Sequence, residues 1–294
     1  MNKLKETIDS QIESNKSKNL FHEDFSKIMR FSKSTLEAIL NLKDIKPDHL
    51  NVLIDYSAEQ VLQEFCRINQ YFSFQKEDKL HLKSIYKNLY EEIIKGEVSI
   101  NDLSQTHFSN LKTWLNATNP FSQKMYRRKG TTLEPVACSE YSAELQKEIL
   151  HLDQIHLMEP ILDIGCGKEA HLVKHLRSQG FEAYGIDRFS NELPYLQKAD
   201  WLNFDCGVEK WGAITSNLGF SNHFIHHHLR EDGSFIEYAK KYMDILNSLK
   251  TGGCFCYAPD LPFIEEYLDE KNFLIKKYDI KNLSFKTTII KRLR

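Results

Sequence analysis

Near residue 160 the hydrophobic pattern changes period, and this limits what the chain can fold into more than any other feature. Beyond Pro160, short apolar runs alternate with helical stretches: ILDIG, AHLVKHLRSQG, AYGIDR, WGAITSN, a long helical segment and CFCYAP. Each parallel crossover needs about a helix's length of chain, so this rhythm predicts a mostly parallel sheet with helices on both faces. The long segment reads as a helix over 234–249. Ser234 stands at its N-cap with Glu237 three residues on, and Phe235, Tyr238, Tyr242, Ile245, Leu246 and Leu249 face a core. The closing runs FLIKKYDI and FKTTIIKRL alternate at period two and predict a terminal antiparallel pair.

Up to about residue 155 the rhythm is helical instead. Apolar stripes recur at helical spacing: Val61, Leu62, Phe65 and Ile68; then Leu82, Ile85, Tyr86, Leu89, Ile93 and Ile94, stopped by Gly96; then Leu103, His107, Phe108, Leu111, Trp114 and Leu115, ended near Pro120. The stretch NPFSQKMYRRKGTTLEPVACSEYS has no period and carries Pro120, Gly130 and Pro135, which predicts a loop or linker. After it, Ser139 is the expected cap of a helix bearing Tyr141, Leu145, Ile149 and Leu150. The expected division is an all-α N-terminal domain over 1–135 and an α/β domain over 136–294.

Thirty-nine basic and 41 acidic side chains give a net charge of -2, and residues 1–140 hold 20 basic and 19 acidic ones. No phosphate-tracking field is built into such a balance, so a nucleic-acid substrate is disfavoured. No run of about 18 apolar residues occurs, and the polar start MNKLKETIDSQIESNKSK lacks a secretory apolar segment; both predict a cytoplasmic protein without a membrane partner. Six cysteines, Cys66, Cys138, Cys166, Cys206, Cys254 and Cys256, include no C-x-x-C pair, which argues against a zinc cage or a disulfide framework. Cys254 and Cys256 would share one face of a strand and pack in the core.

The turn GCGKEA, Gly165 to Ala170, fits G-x-G-x-x-G/A, in which backbone amides at a helix start cradle a ligand beyond the sheet's carboxyl edge. Asp163 stands two residues before its first glycine. A dinucleotide would bring a diphosphate against this carboxylate, which is electrostatically unfavourable, whereas S-adenosyl-L-methionine brings an ammonium and a sulfonium, which the carboxylate favours.

Ile161 to Gly167 resembles the first motif of the class I S-adenosylmethionine-dependent methyltransferases, apolar-Leu-Asp-x-Gly-x-Gly. GIDR, ADWLNFD, WGAITSN and LKTGGCFCYAP resemble that family's later motifs in order, with Thr251 where a proline is usual and no third glycine in the turn. The resemblance covers about residues 135–294. It implies a doubly wound, mostly parallel seven-stranded sheet with a C-terminal antiparallel strand, and S-adenosyl-L-methionine as cofactor. It further implies a cofactor site of Asp163, Gly165, Gly167, Ala170, Asp187, Arg188, Asp200, Trp201 and Asn217. Asp187 would accept hydrogen bonds from the ribose hydroxyls, Asp200 and the Trp201 amide would meet the adenine, and the fourth strand would end beside the methyl group.

Methyl transfer mainly requires that nucleophile and methyl be aligned and water excluded. Candidate catalytic groups are therefore those after the fourth and fifth strands, Asn217, His223 and Asp260. Asn217, in NLGF, either holds a nucleophilic nitrogen or bonds its own turn. In the run His223, His226, His227, His228, one imidazole serves as acid or base, or the run is packing and helix surface; a metal site lacks a completing carboxylate or cysteine. Asp260 either orients a substrate amine or holds a turn, and Arg127, Arg128 and Lys129 either clamp a substrate anion or form a solvated loop. The reading is a methyltransferase acting on a small molecule or a protein side chain, beside which stand a non-catalytic S-adenosylmethionine-binding or regulatory module and a nicotinamide-dependent oxidoreductase.

Overall fold

The computed structural model describes residues 1–39, 45–135, 141–191, 193–281 and 284–294. The chain divides into two units, Met1–Ala137 and Cys138–Arg294.

The first unit is helical: α1 (Asn2–Ser14), α2 (Phe25–Ile28), α3 (Lys33–Ile39), α4 (Pro47–Ile68), α5 (Lys76–Lys95), α6 (Ile100–Thr118) and α7 (Phe121–Tyr126). The stripes read from the sequence supply its core, with Leu53, Leu82, Leu111 and Trp114 almost wholly buried. Starts and stops are local chemistry. Gln75 and Asp78 form a capping box on α5, the Ser99 hydroxyl accepts from the Asp102 amide on α6, and Gly96 ends α5 in the left-handed conformation at φ 67°. The described part of the stretch expected to be a loop or linker, up to residue 135, packs against the first unit. It contains α7, and Thr132 bridges Lys18. The buried side-chain amide of Asn19 donates to the carbonyls of Tyr126 and Gly130, at 2.9 Å each. Those carbonyls lie far from Asn19 in the chain, so no local pattern announces the bonds.

The second unit runs α8 (Ala143–Ile149), a 3-10 turn, β1 (Ile161–Ile164), α9 (His171–Ser178), β2 (Ala183–Asp187), β3 (Leu196–Lys198), β4 (Trp211–Asn217), α10 (Phe220–His228), α11 (Phe235–Asn247), β5 (Leu249–Ala258), α12 (Pro262–Glu265), β6 (Phe273–Asp279) and β7 (Lys286–Arg292). The strands form one seven-stranded sheet in the order β3-β2-β1-β4-β5-β7-β6. β3 through β5 pair in parallel, and β7 pairs antiparallel with both β5 and β6. This is a doubly wound, Rossmann-like α/β sheet whose order reverses between β1 and β4.

Every residue of β1 is buried, as a central parallel strand requires. Alternate residues serve two cores. Leu162, Ile164, Phe255 and Tyr257 pack with Tyr238, Tyr242 and Phe224, while Ile161, Ala213, Cys254 and Cys256 pack with Leu172, Val173 and Leu150. Each such aromatic or aliphatic side chain contributes about 1.5–3 kcal/mol on burial. Three local expectations shift. Ser139 lies outside the described residues, and Ser142 caps α8 by accepting from the Leu145 amide. Ser234 sits at the N-cap of α11, but its hydroxyl makes no capping bond; its amide donates to His227. Leu249 opens β5 rather than closing α11, because pairing with Trp211 draws it into the sheet.

Candidate functional site

β1 carries Asp163 to the sheet's carboxyl edge. Its register partner on β4 is Thr215, whose Oγ1 donates to Asp163 Oδ1 at 2.8 Å. Oδ2 is buried and has no hydrogen-bond partner among the described residues. Burial pushes this carboxyl up to about 7; the Thr215 bond opposes the rise and the Asp187 charge adds to it. A buried carboxylate with one oxygen unmet is costly until a cation or donor completes it.

The chain then turns through Gly165 at φ 77° and Gly167 at φ 76°, conformations that exclude most side chains. The Gly165 and Cys166 amides donate to the Ile186 carbonyl at 2.9 and 3.1 Å. Asp187 fastens the turn to the end of β2: its Oδ2 accepts from the Gly167 amide at 3.3 Å and its Oδ1 from the Phe189 amide at 2.8 Å. Where the fingerprint has a third glycine, Ala170 itself takes φ 50° and caps α9.

Beyond β3, Asp200 caps a short turn by accepting from the Leu202 amide at 3.0 Å. This turn sends Trp201 across the glycine loop, so that a Cβ on Gly165 would stand 3.0 Å, and one on Gly219 3.8 Å, from the indole Cζ3. The same indole meets His223 edge-on, ring centroids 4.9 Å apart. At the end of β4 the Asn217 Oδ1 is buried without a partner among the described residues. Its neighbours hold the turn: Ser216 Oγ donates to the Ile164 carbonyl at 2.9 Å and accepts from the Phe220 amide at 3.1 Å, and the Asn222 side chain donates to the Leu218 carbonyl at 2.8 Å.

The structure therefore brings Asp163, Gly165, Gly167, Asp187, Trp201, Asn217 and His223 to the β1 and β4 ends. His223 is buried, its Nδ1 3.5 Å from the Tyr238 hydroxyl. Burial first, then the Arg188, His227 and His226 charges, hold it well below the usual imidazole range, so it is neutral at pH 7. The other histidines divide into packing roles. His227 stacks on Tyr238 at 4.7 Å, His228 stacks on Phe263 at 3.8 Å, and His226 Nε2 lies 2.9 Å from Arg230 Nη1. Burial depresses His226 and His227 to about 4. Among the described residues no cluster of three or more His, Cys, Asp or Glu side chains is placed to hold a metal ion.

Asp260 is held by the β6 and β7 hairpin. Its Oδ2 lies 3.2 Å from Lys277 Nζ and its Oδ1 accepts from the Lys286 amide at 3.0 Å. Lys277 also reaches the buried Glu265 at 2.6 Å, whose Oε1 accepts from the Tyr257 hydroxyl at 2.5 Å and from the Leu261 amide at 2.7 Å. Arg127, Arg128 and Lys129 are exposed at the end of α7 in the first unit. Two residues that shape the site carry little signal in the sequence: Thr215, one of two adjacent hydroxyls near the end of β4, and Tyr238, legible only as a helix-stripe aromatic.

No family model matches the chain, and no curated protein matches it. Solved structures do resemble it over about half its length. A TehB-like SAM-dependent methyltransferase from Corynebacterium glutamicum is 15% identical over 52% of this chain and 89% of its own, with a TM-score of 0.38. N-methyltransferase NodS from Bradyrhizobium japonicum, in complex with S-adenosyl-L-homocysteine, is 14% identical over 50% of this chain and 84% of its own, TM-score 0.35. An rRNA methylase from Streptococcus thermophilus is 14% identical over 54% of this chain and 100% of its own, TM-score 0.34. What this chain is similar to in these structures is the fold of S-adenosylmethionine-dependent methyltransferases.

Proposed function

We propose that the second unit binds S-adenosyl-L-methionine over the turn between β1 and α9 and catalyses methyl transfer to an acceptor at the ends of β4 and β5. The observation that carries this reading is the Oδ2 of Asp163, buried without a partner among the described residues, beside the left-handed glycine turn at Gly165 and Gly167. An ammonium completes that oxygen, whereas a diphosphate would set like charge against it. When bound, the cofactor supplies a methyl group already activated by its sulfonium.

The chain's own residues do the rest. Asp163 holds the amino-acid end of the cofactor, and Asp187, which keeps the glycine turn in shape at the end of β2, meets the ribose. Arg188 stands beside it, and Asp200 with the Trp201 amide meets the adenine edge. Asn217 Oδ1 offers an acceptor to a hydrogen-bond donor on the methylated molecule. The neutral His223 packs edge-on against Trp201, with its Nδ1 3.5 Å from the Tyr238 hydroxyl. Alignment of this kind can account for roughly 7–11 kcal/mol of a barrier. The proposed methyl acceptor is a small molecule or a protein side chain, supported by the even charge of residues 1–140.

Titration calorimetry with S-adenosylhomocysteine tests the reading. The native chain is expected to bind it, Asp163→Asn to lose at least about tenfold in affinity through one charge-assisted contact, and NADH to give no heat. Absence of S-adenosylhomocysteine binding would end the proposal. Tight binding without methyl turnover on amine, hydroxyl and peptide acceptors would favour a non-catalytic module.

A further inference from the structure

The first unit contains a cavity of about 120 Å³ that is partly open to solvent. Among the described residues its walls come from α1, α3, α4, α5 and α6, including Leu53, Val61, Phe65, Ile93 and Leu111. α1 buries none of its residues fully, yet Leu4, Ile8 and Ile12, at helical spacing, all border the cavity. One apolar stripe of α1 thus borders this cavity. Vacant apolar volume forfeits dispersion contacts, and a cavity of roughly 150 Å³ lined by such side chains is known to hold benzene.

One wall residue is polar and unmet. His107 is 5% exposed, and its Nδ1 has no hydrogen-bond partner among the described residues. It lies among rings that also border the cavity: Tyr86 at 5.0 Å, Phe108 at 5.3 Å and Phe31 at 6.1 Å between centroids. Burial pushes the imidazole down to about 3, so it is neutral and offers a ligand no charge. The charged wall residues are committed elsewhere, Lys18 to Asn15 at 2.9 Å and Glu64 to Arg67 at 2.6 Å. An aromatic wall favours an aromatic guest through edge-to-face contact.

We propose that this cavity is a binding site for a small uncharged aromatic molecule, about one ring in size, whose single hydroxyl or N–H group pairs with His107. The site is independent of methyl transfer in the second unit. Phenol and benzene are the probes, titrated into the full chain and followed by calorimetry and by side-chain NMR. Phenol is expected to saturate one site, to shift the resonances of Leu53, Ile93 and His107, and to bind about tenfold tighter than benzene, as one net hydrogen bond in a buried site allows. His107→Leu should remove that preference while benzene still binds. Val61→Phe and Ala38→Leu, each filling the cavity, should abolish binding of both with helix content unchanged. Lack of saturable phenol binding by the native chain, shifts confined to the second unit, or unaltered binding in a folded filling variant would overturn the proposal.

Discussion

A Cβ placed on Gly165 would stand 3.0 Å from Cζ3 of Trp201, closer than ordinary van der Waals contact, so the indole leaves no room for a side chain there. The contact joins the turn after β1 to the turn after β3 across the β2 edge, and it makes Gly165 constrained twice, by its φ of 77° and by its neighbour.

Gly165→Ala should therefore cost about 1–2 kcal/mol from the left-handed backbone alone, with further loss if the indole is displaced. Urea unfolding followed by tryptophan fluorescence measures both, since a displaced Trp201 also changes the folded-state emission. A variant as stable as the native chain, with unchanged emission, would contradict the packing described.

Asp163 should make the second unit less stable as pH rises. Its folded-state carboxyl sits at about 7 against 3.8 for the ordinary group, so between these values the unfolded chain has released a proton that the folded chain retains. Stability is then full below about pH 4, falls through the window and levels off above 7, a loss on the order of 4 kcal/mol at most. Asp163→Asn is expected to flatten this slope in unfolding titrations over pH 4–8. In the native chain, S-adenosylhomocysteine binding below pH 7 should release a proton, read from calorimetry in two buffers of different ionisation enthalpy.

His227 should act in the opposite sense. Its Nδ1 accepts from the Ser234 amide at 3.1 Å, so protonation there breaks a hydrogen bond, and burial holds the ring at about 4. The unfolded chain binds the proton first, near 6.5, so stability is lost as pH falls from about 6.5 toward 4. His227→Phe keeps a ring against Tyr238 and removes the titration. Its unfolding free energy should change less between pH 7 and pH 5 than that of the native chain.

Lys277 is the cation for Glu265, whose side chain is 2% exposed. Lys277→Met leaves a buried carboxylate uncompensated and should cost about 3–5 kcal/mol, whereas adding Glu265→Gln should restore much of that loss. Asp260→Asn, at a side chain 16% exposed and held by two partners, should cost less than Lys277→Met. Thermal unfolding of the variants ranks them; equal losses would refute the network.

Where bonding is local or periodic, the sequence could be read directly. The stripe Leu82, Ile85, Tyr86, Ile93 with Gly96 is α5 because apolar spacing and a left-handed stop act over a few residues. The turn at Gly165 and Gly167 was legible for the same reason. Asp260 was not: its partners Lys277 and Lys286 stand 17 and 26 residues away, brought to it only by the β6 and β7 hairpin.

By itself, the amino-acid order determined the switch from helical to strand-and-helix rhythm at residue 160, the parallel sheet that follows and the carboxylate set before its first glycine turn, because each depends on period or adjacency. Only the tertiary structure decided which polar atoms are satisfied. Among the described residues, Asp163 and Asn217 each retain a buried oxygen without a partner, Asp260 has its oxygens taken, and His107 borders a cavity. Hydrogen-bond satisfaction is settled by distances between segments remote in the chain, and those exist only once the sheet and the helical unit have closed.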